Sequence, residues 1–200
     1  MDPQPLFTYL ERYHPLADEE KELLASHLSW HEYAKHDIIL REGSVCRHLY
    51  YIEAGLTRCY HYRDGRDITT WFGSAGALFT VIDSLLGHTA SRFTLCALEP
   101  TQVCAVPYAE VLRLYARSHA LERIGRLITL DGFVQMGERI NELQFHSAHD
   151  RYERFCAQFP DLATRVPLTH IASYLGITLE TLSRVRAGSR TSSANLMNVK

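Results

Sequence analysis

Residues 166–186 constrain this chain most, because their residue types fit one local structure: two short helices joined by a tight turn. The segment runs Val166-Pro167-Leu168-Thr169-His170-Ile171-Ala172-Ser173-Tyr174-Leu175-Gly176-Ile177-Thr178-Leu179-Glu180-Thr181-Leu182-Ser183-Arg184-Val185-Arg186. Thr169 is placed to cap the first helix, and Ile171, Ala172 and Leu175 give it an apolar face. Gly176 supplies the left-handed residue that stops it, Ile177 plugs the corner, and Thr178 is placed to cap the second helix. Leu179, Leu182 and Val185 recur at helical spacing, which leaves Thr181, Ser183, Arg184 and Arg186 for the outer face. Such a pair is either an ordinary helical hairpin of a core or a helix-turn-helix, whose second helix enters the major groove of DNA. The hydroxyls and arginines favour the second reading.

A net charge of −2 argues against a DNA binder until it is divided by region. Residues 147–200 hold seven Lys/Arg and four Asp/Glu, net +3, and the preceding part carries −5. The pattern is a basic C-terminal module on an acidic N-terminal one. Two hundred residues, 46% hydrophobic and 22% charged, suit a folded chain of one large domain or two small ones. No apolar run approaches the ~18 residues that span a bilayer, so no membrane partner is expected. Met1-Asp2-Pro3-Gln4-Pro5 lacks the flank of a signal peptide, which predicts a cytoplasmic protein. Cys46, Cys59, Cys96, Cys104 and Cys156 are scattered without a Cys-x-x-Cys, so neither zinc nor an iron–sulfur cluster is suggested; Cys96 and Cys104 read as small core residues. His146-x-x-His149 lies one helical turn apart with no further ligand in view, so no metal site is expected and no cofactor is identified.

Residues 6–32 read as helical, broken at Pro15, with Asp18 as a cap for the second piece. From 33 to about 106 short strand-like runs alternate with turns. These are Ile38–Leu40, Leu49–Ile52, Leu56–Tyr62, Asp67–Phe72 and two near 92–98 and 101–106, with an Asp64-Gly65 hairpin and a bend at Gly73 and Gly76. Many short strands at even spacing predict a β-roll or jelly roll. Pro107 opens a helix over Tyr108 to about Ala116. A longer one follows over about 120–145, with apolar rows at Leu121, Ile124, Ile128, Phe133, Met136, Ile140 and Leu143. At 1.5 Å per residue it is about 37 Å long, more than a small barrel needs for cover. The spare apolar length suits a dimer seam, the alternative being a helix packed wholly on its own barrel. A further helix, Arg151–Phe159, ends at Pro160. The expected fold is α+β: a β-roll domain with its connecting helix over 1–146, and a helix-turn-helix domain over 147–200.

A β-roll, a long helix and a C-terminal helix-turn-helix, in that order, resemble the Crp/Fnr family of bacterial transcription regulators. The resemblance rests on Lys35-His36-Asp37-Ile38-Ile39-Leu40-Arg41-Glu42-Gly43, Leu49-Tyr50-Tyr51-Ile52-Glu53-Ala54-Gly55, Asp64-Gly65 with Trp71-Phe72-Gly73, Arg151-Tyr152-Glu153, and the segment from Ile171 to Arg184. It is nearest to the branch of cyclic-nucleotide-binding-domain regulators whose effector is unknown. The family's Arg-Glu-Thr-x-x-Arg reading segment aligns with Leu179-Glu180-Thr181-Leu182-Ser183-Arg184. On that alignment Glu180 accepts from cytosine, Arg184 donates to guanine, and Thr181 and Ser183 contact the backbone. Leu179 replaces the first arginine, so the family's target sequence does not carry over. Thr178, Leu179, Arg186 and Arg190 complete the expected DNA-binding set. The residues after Gly188 read as flexible, with the family's wing short or absent, and Arg190 and Lys200 in reach of phosphates.

The resemblance also implies an effector pocket at Gly76, Ala77, Leu78, Ser91 and Arg92. Members that bind cyclic AMP have Gly-Glu-Leu where this chain has Gly76-Ala77-Leu78, and an Arg-Ser pair where it has Ser91-Arg92. Neighbouring strand residues point to opposite faces, so the swap turns the arginine away from the phosphate position. Cyclic AMP in its usual pose is therefore not expected, which leaves an unknown small-molecule effector or none. Implied partners are double-stranded DNA, a second copy of the chain and RNA polymerase. An enzyme on the barrel is not expected, since no His-x-His for a cupin metal and no nucleophile elbow occurs. The competing function is a ligand-sensing or protein-interaction module whose C-terminal helices do not read DNA.

Overall fold

The computed structural model of the chain describes residues 2–197, and the side chains of residues 2–188. Helices α1 (Gln4–Leu10) and α2 (Asp18–Ala25) precede strands β1 (Ser29–Tyr33), β2 (Ile38–Leu40), β3 (His48–Ala54), β4 (Leu56–Arg63), β5 (Arg66–Ser74) and β6 (Leu78–Phe79). Helix α3 (Ile82–Gly87) leads to β7 (Thr94–Ala97) and β8 (Thr101–Pro107). Then come α4 (Tyr108–Arg117), α5 (His119–Phe145), α6 (Ala148–Gln158), α7 (Leu162–Arg165), α8 (Leu168–Leu175) and α9 (Leu179–Met197).

The strands form two antiparallel sheets, ordered β1-β8-β3-β6 (the first sheet) and β2-β7-β4-β5 (the second). Alternation along each strand sends one set of side chains between the sheets and the other set outward. Tyr50, Val103 and Ala105 of the first sheet meet Leu40 and Leu95 of the second in the lumen, with Cys46, Val81 and Leu85. Their neighbours Tyr51 and Cys104 point the other way, towards α1, α2, α4 and α5. The β4–β5 turn is made by Asp64 (φ 51°) and Gly65 (φ 76°), the two left-handed residues a type I′ hairpin requires.

The outer face of the second sheet is covered by the C-terminal helices. Leu56, Phe72, Cys96 and Leu98 share one core with Phe155, Leu162, Ile171, Leu175 and Leu182. The part after residue 146 therefore buries its apolar face against the roll. Tyr174 joins the same core, its ring 5.4 Å from Phe72 and 5.7 Å from Phe155.

Several expectations are corrected. The N-terminal helical reading ends at Ala25, because Ser29–Tyr33 pairs with β8 from Ser29↔Ala105 to Tyr33↔Thr101. A five-residue strand with Trp and Tyr is locally ambiguous, and pairing decides it. Ala17 takes the cap position of α2, where its N–H donates to Glu20 Oε2 at 3.0 Å; Asp18 is the first helical residue. Gly73 lies within β5 opposite Thr57, and the Trp71 ring occupies the space its side chain would need. Pro167, not Thr169, is the N-cap of α8, since a proline with fixed φ starts a helix without needing its own N–H. The stretch after Gly188, expected to be flexible, continues α9 to Met197, where no proline interrupts the helix. Lys200 lies outside the described residues.

Candidate nucleic-acid interface and effector pocket

Helix α8 stops at Gly176, whose left-handed φ of 67° reverses the chain, and Ile177 N–H bonds back to Ala172 O at 3.0 Å. Thr178 Oγ1 accepts from Thr181 N–H at 3.1 Å, so it caps α9 as expected. Leu182 is fully buried beside Ile171 and Leu175, which fixes the rotation of α9 about its axis. That rotation leaves Leu179, Glu180, Ser183 and Arg184 exposed and Thr181 half-buried. Glu180 and Arg184 lie one turn apart at 3.6 Å, both mostly in solvent. Arg186 is half-buried beside the Tyr152 hydroxyl on α6. The side chain of Arg190 lies outside the described residues.

Helix α8 is held from two sides. On the roll side, Arg58 of β4 is 3% exposed and stands in the outward row with Leu56 and Tyr60. Its Nε donates to Thr69 Oγ1 at 2.8 Å and its Nη1 to Asp67 Oδ2 at 2.9 Å. Nη1 also lies 3.2 Å from His170 Nε2. A guanidinium can only donate, so His170 Nε2 accepts and Nδ1 carries the proton. Burial, then the Arg58 cation, hold the His170 pKa below its ordinary value. The hydrogen bond from Arg58 holds the Asp67 carboxyl low. Arg58 Nη2 and His170 Nδ1 are buried without a hydrogen-bond partner. Ser173 caps the edge strand β5: its Oγ accepts from Thr69 N–H at 2.8 Å and donates to Asp67 O at 3.0 Å. On the other side Arg139 of α5 stacks 3.9 Å from the Tyr174 ring and donates to Tyr174 O. Sequence reasoning missed this cluster. The available signal was a cation in the apolar row Leu56-x-Arg58-x-Tyr60, which needs a partner if that face is covered.

The expected pocket residues face different ways. Gly76 and Ala77 sit in the turn before β6, with Gly76 N–H on Ile52 O at 2.8 Å. Ser91 is buried, and its Oγ donates to Phe93 O at 2.8 Å and accepts from Phe93 N–H at 3.0 Å. Arg92 points outward, 74% exposed, with Asp83 at 3.4 Å. Leu78 faces the helices rather than the lumen. Aromatic rings fill the lumen: Phe79 stacks 5.3 Å from Tyr50 and lies 5.1 Å from Trp71.

The long helix divides at its middle. Leu121 and Ile124 are buried on the roll and Ile128 is half-buried, so these three are core residues rather than seam residues. Phe133, Met136, Ile140 and Leu143 are exposed, joined by Leu130, Val134 and Phe145. The difference is geometric, because the roll ends before the helix does. His149 pairs with Glu153 at 3.1 Å, and no three His, Cys, Asp or Glu cluster at metal distance among the described residues. No helix among them is long and apolar enough to cross a membrane.

Residues 30–118 match the cyclic nucleotide-binding domain family. No curated protein matches the chain by sequence. Among solved structures it is similar to FixK2 from Bradyrhizobium japonicum, at 22% identity over 83% of this chain and 86% of that one, TM-score 0.73. A crp/fnr-family transcriptional regulator from Eubacterium rectale is similar at 18% identity over 92% and 88%, TM-score 0.69. Catabolite Activator Protein from Thermus thermophilus is similar at 22% identity over 92% and 88%, TM-score 0.57. Residues 30–118 therefore match a cyclic nucleotide-binding domain, and the chain as a whole shares the fold of these solved structures.

Proposed function

We propose that the protein is a homodimeric, DNA-binding transcription regulator and not an enzyme. On this reading α8 and α9 are its helix-turn-helix, α5 is its dimer helix, and cyclic AMP in the usual pose is not its effector. The observation that carries the reading is the division of α9. Leu182 anchors one side in the core, while Glu180, Ser183 and Arg184 project into solvent from the turn that a recognition helix presents to base edges. Glu180 accepts from a cytosine amino group and Arg184 donates two hydrogen bonds to guanine. Their mutual pair is exposed and loose, so separating it costs little. Arg186 braces α9 against α6, which leaves phosphate contacts to Arg190. The lack of a carboxylate at Ala77, the backbone-tied Ser91 hydroxyl, the outward Arg92 and the ring-filled lumen support the exclusion of cyclic AMP. Partners on this reading are double-stranded DNA, a second copy and RNA polymerase.

Selection from a random DNA pool tests it. The expected product is a palindrome with half-sites about one helical turn, ~34 Å, apart. Arg184→Ala should cost about 1–3 kcal/mol and relax preference at one position of each half-site. Arg190→Ala should weaken all sequences alike and flatten the salt slope by up to about one. No palindrome, or equal loss of specificity in both variants, removes Arg184 from this role. The dimer is tested by Ile140→Asp with Leu143→Asp, which places unpaired carboxylates in the seam at several kcal/mol each if desolvated. Sedimentation should then show monomer, and a wild type already monomeric at micromolar concentration defeats the dimer.

A further inference from the structure

Between the outer face of the first sheet and the helices that cover it lies a cavity of about 510 Å³. Its floor is Tyr51 and Cys104 of the sheet, and its walls include Leu6 of α1, Leu114 of α4 and Ile124 of α5. Ile82, Leu86, Phe133 and Met136, each about half exposed or more, edge its mouth between α3 and α5. Leu85 and Phe79 of the lumen also edge it, whereas Ser91 and Arg92 do not line it.

Interiors of proteins are packed with few voids larger than a water molecule, so an opening of this size is a feature to be explained. Its volume falls in the range of small-molecule sites, about 300–1,000 Å³. Three hydroxyls along its walls are already engaged. Tyr51 Oη donates to Pro5 O at 3.1 Å, Thr80 Oγ1 to His48 O at 2.9 Å, and Thr129 Oγ1 to Gly125 O at 2.8 Å. Burial pushes the Cys104 thiol up to about 12 and the Tyr115 phenol up to about 12, so neither brings a charge to the walls. An occupant would find no free polar partner in the floor, and its buried part must itself be apolar.

Gly132 of α5 lines the same space, and a Cβ built there would meet nothing within 4 Å. Glycine is less favourable than alanine inside a helix, so the chain leaves space here that a side chain could occupy while strengthening the helix. A second copy laid along α5 would cover Phe133 and Met136 at the mouth. It would not fill the floor, because a helix is about 10–12 Å across and cannot enter. Nor would single side chains reaching in suffice, since benzene occupies a cavity of only about 150 Å³.

We propose that this cavity is a binding site for an unbranched acyl chain, inserted tail first, with its polar head left at the mouth between α3 and α5. The site deepens the proposed function by naming the class of its effector, and it rests on that reading for the regulatory consequence alone. The mouth opens beside the exposed half of α5, so an occupant would touch the helix that carries both the seam and Arg139.

The test uses the full chain, stripped of lipid on a hydrophobic resin. Dodecanoate, below its micelle concentration, is titrated against the fluorescence of bound N-phenyl-1-naphthylamine. Wild type should bind one probe per chain and release it to dodecanoate. Dodecanedioate, whose second carboxylate would have to be buried, should compete at least tenfold less well. Gly132→Leu should weaken dodecanoate at least tenfold while melting at or above the wild-type temperature. If that variant does not fold, Thr129→Phe on the same wall replaces it, with the same expectation. No probe binding by wild type, equal competition by the diacid, or unchanged affinity in the folded filled variant would each overturn the site. Binding that appears only when the dimer is dissociated would show a partner copy as the occupant, and would overturn it too. A DNA shift assay with and without dodecanoate separates the two readings. Binding that leaves DNA affinity unchanged ends the effector role. Failure to bind any DNA ends the regulator reading and leaves the acyl site standing.

Discussion

The two sheets of the roll bear opposite kinds of outer face. The outer face of the second sheet is closed: Leu56, Phe72 and Cys96 pack into one core with Ile171, Leu175 and Leu182, and even a guanidinium is enclosed there. That of the first sheet is covered by α1, α2, α4 and α5 yet keeps a 510 Å³ cavity. A solid contact passes on displacement, whereas a void accepts an occupant. On the proposed acyl site, reception would fall to the first sheet and transmission to the second, with α5 reaching the first sheet's cluster through Ile124 and helix α8, which covers the second, through Arg139.

The largest expected effect tests the packing itself. Leu182→Ala, in the closed core, should cost towards the upper end of the ~2–5 kcal/mol range for buried leucines, because neighbours on every side are held in place. Leu114→Ala, whose side chain already borders empty space, should fall near the lower end. Urea unfolding midpoints decide it, and equal losses would erase the contrast.

A smaller effect separates the members of the Arg58 cluster. Asp67→Ala leaves the buried guanidinium without its counter-ion. Because Asp67 is 44% exposed and water can take its place, the loss should be about 1–2 kcal/mol rather than the ~3–5 kcal/mol of a fully buried pair. Arg58→Met removes the buried charge together with the orphaned Nη2 and should be neutral or stabilising. If Arg58→Met costs more than Asp67→Ala in thermal unfolding, the cluster is a net source of stability and this account of it is wrong.

The smallest effect is one of pH. In the folded protein the His170 pKa is depressed by burial and by Arg58, while the unfolded value is about 6.5. Above that value the ring is neutral in both states. As pH falls below it, the unfolded chain takes up a proton that the docked helix refuses, so stability falls towards the folded pKa. The other groups facing His170 are Asp67, which opposes the shift, and His36, which adds to it. Protease protection of α8 and α9 should therefore weaken between about pH 7 and 5.5, and His170→Gln should flatten that slope. A slope unchanged by the substitution would place the titration elsewhere, such as at His48, whose pKa burial also lowers.

Features decided within a few residues were legible in the amino-acid order. The Asp64-Gly65 hairpin, the stop at Gly176, the Thr178 cap and the length of α5 all follow from backbone preferences and short-range periodicity. The candidate reading residues Glu180 and Arg184 were legible for the same reason: Leu182 has to face inward, and residues two away on a helix then face out. What the tertiary structure alone decided depends on which surfaces meet. Trp30 and its neighbours became a strand only by pairing with β8. Arg58, polar in a strand row that could equally have faced water, became a buried cation because α8 covers that row. Arg186, expected outside, was drawn against Tyr152. The division of α5 into a packed half and an exposed half was set by where the roll ends, and the cavity by how far four helices can close over one twisted sheet. Periodicity in one chain reports which side of an element is apolar; only the packed molecule determines what that side touches, and whether the space between is filled.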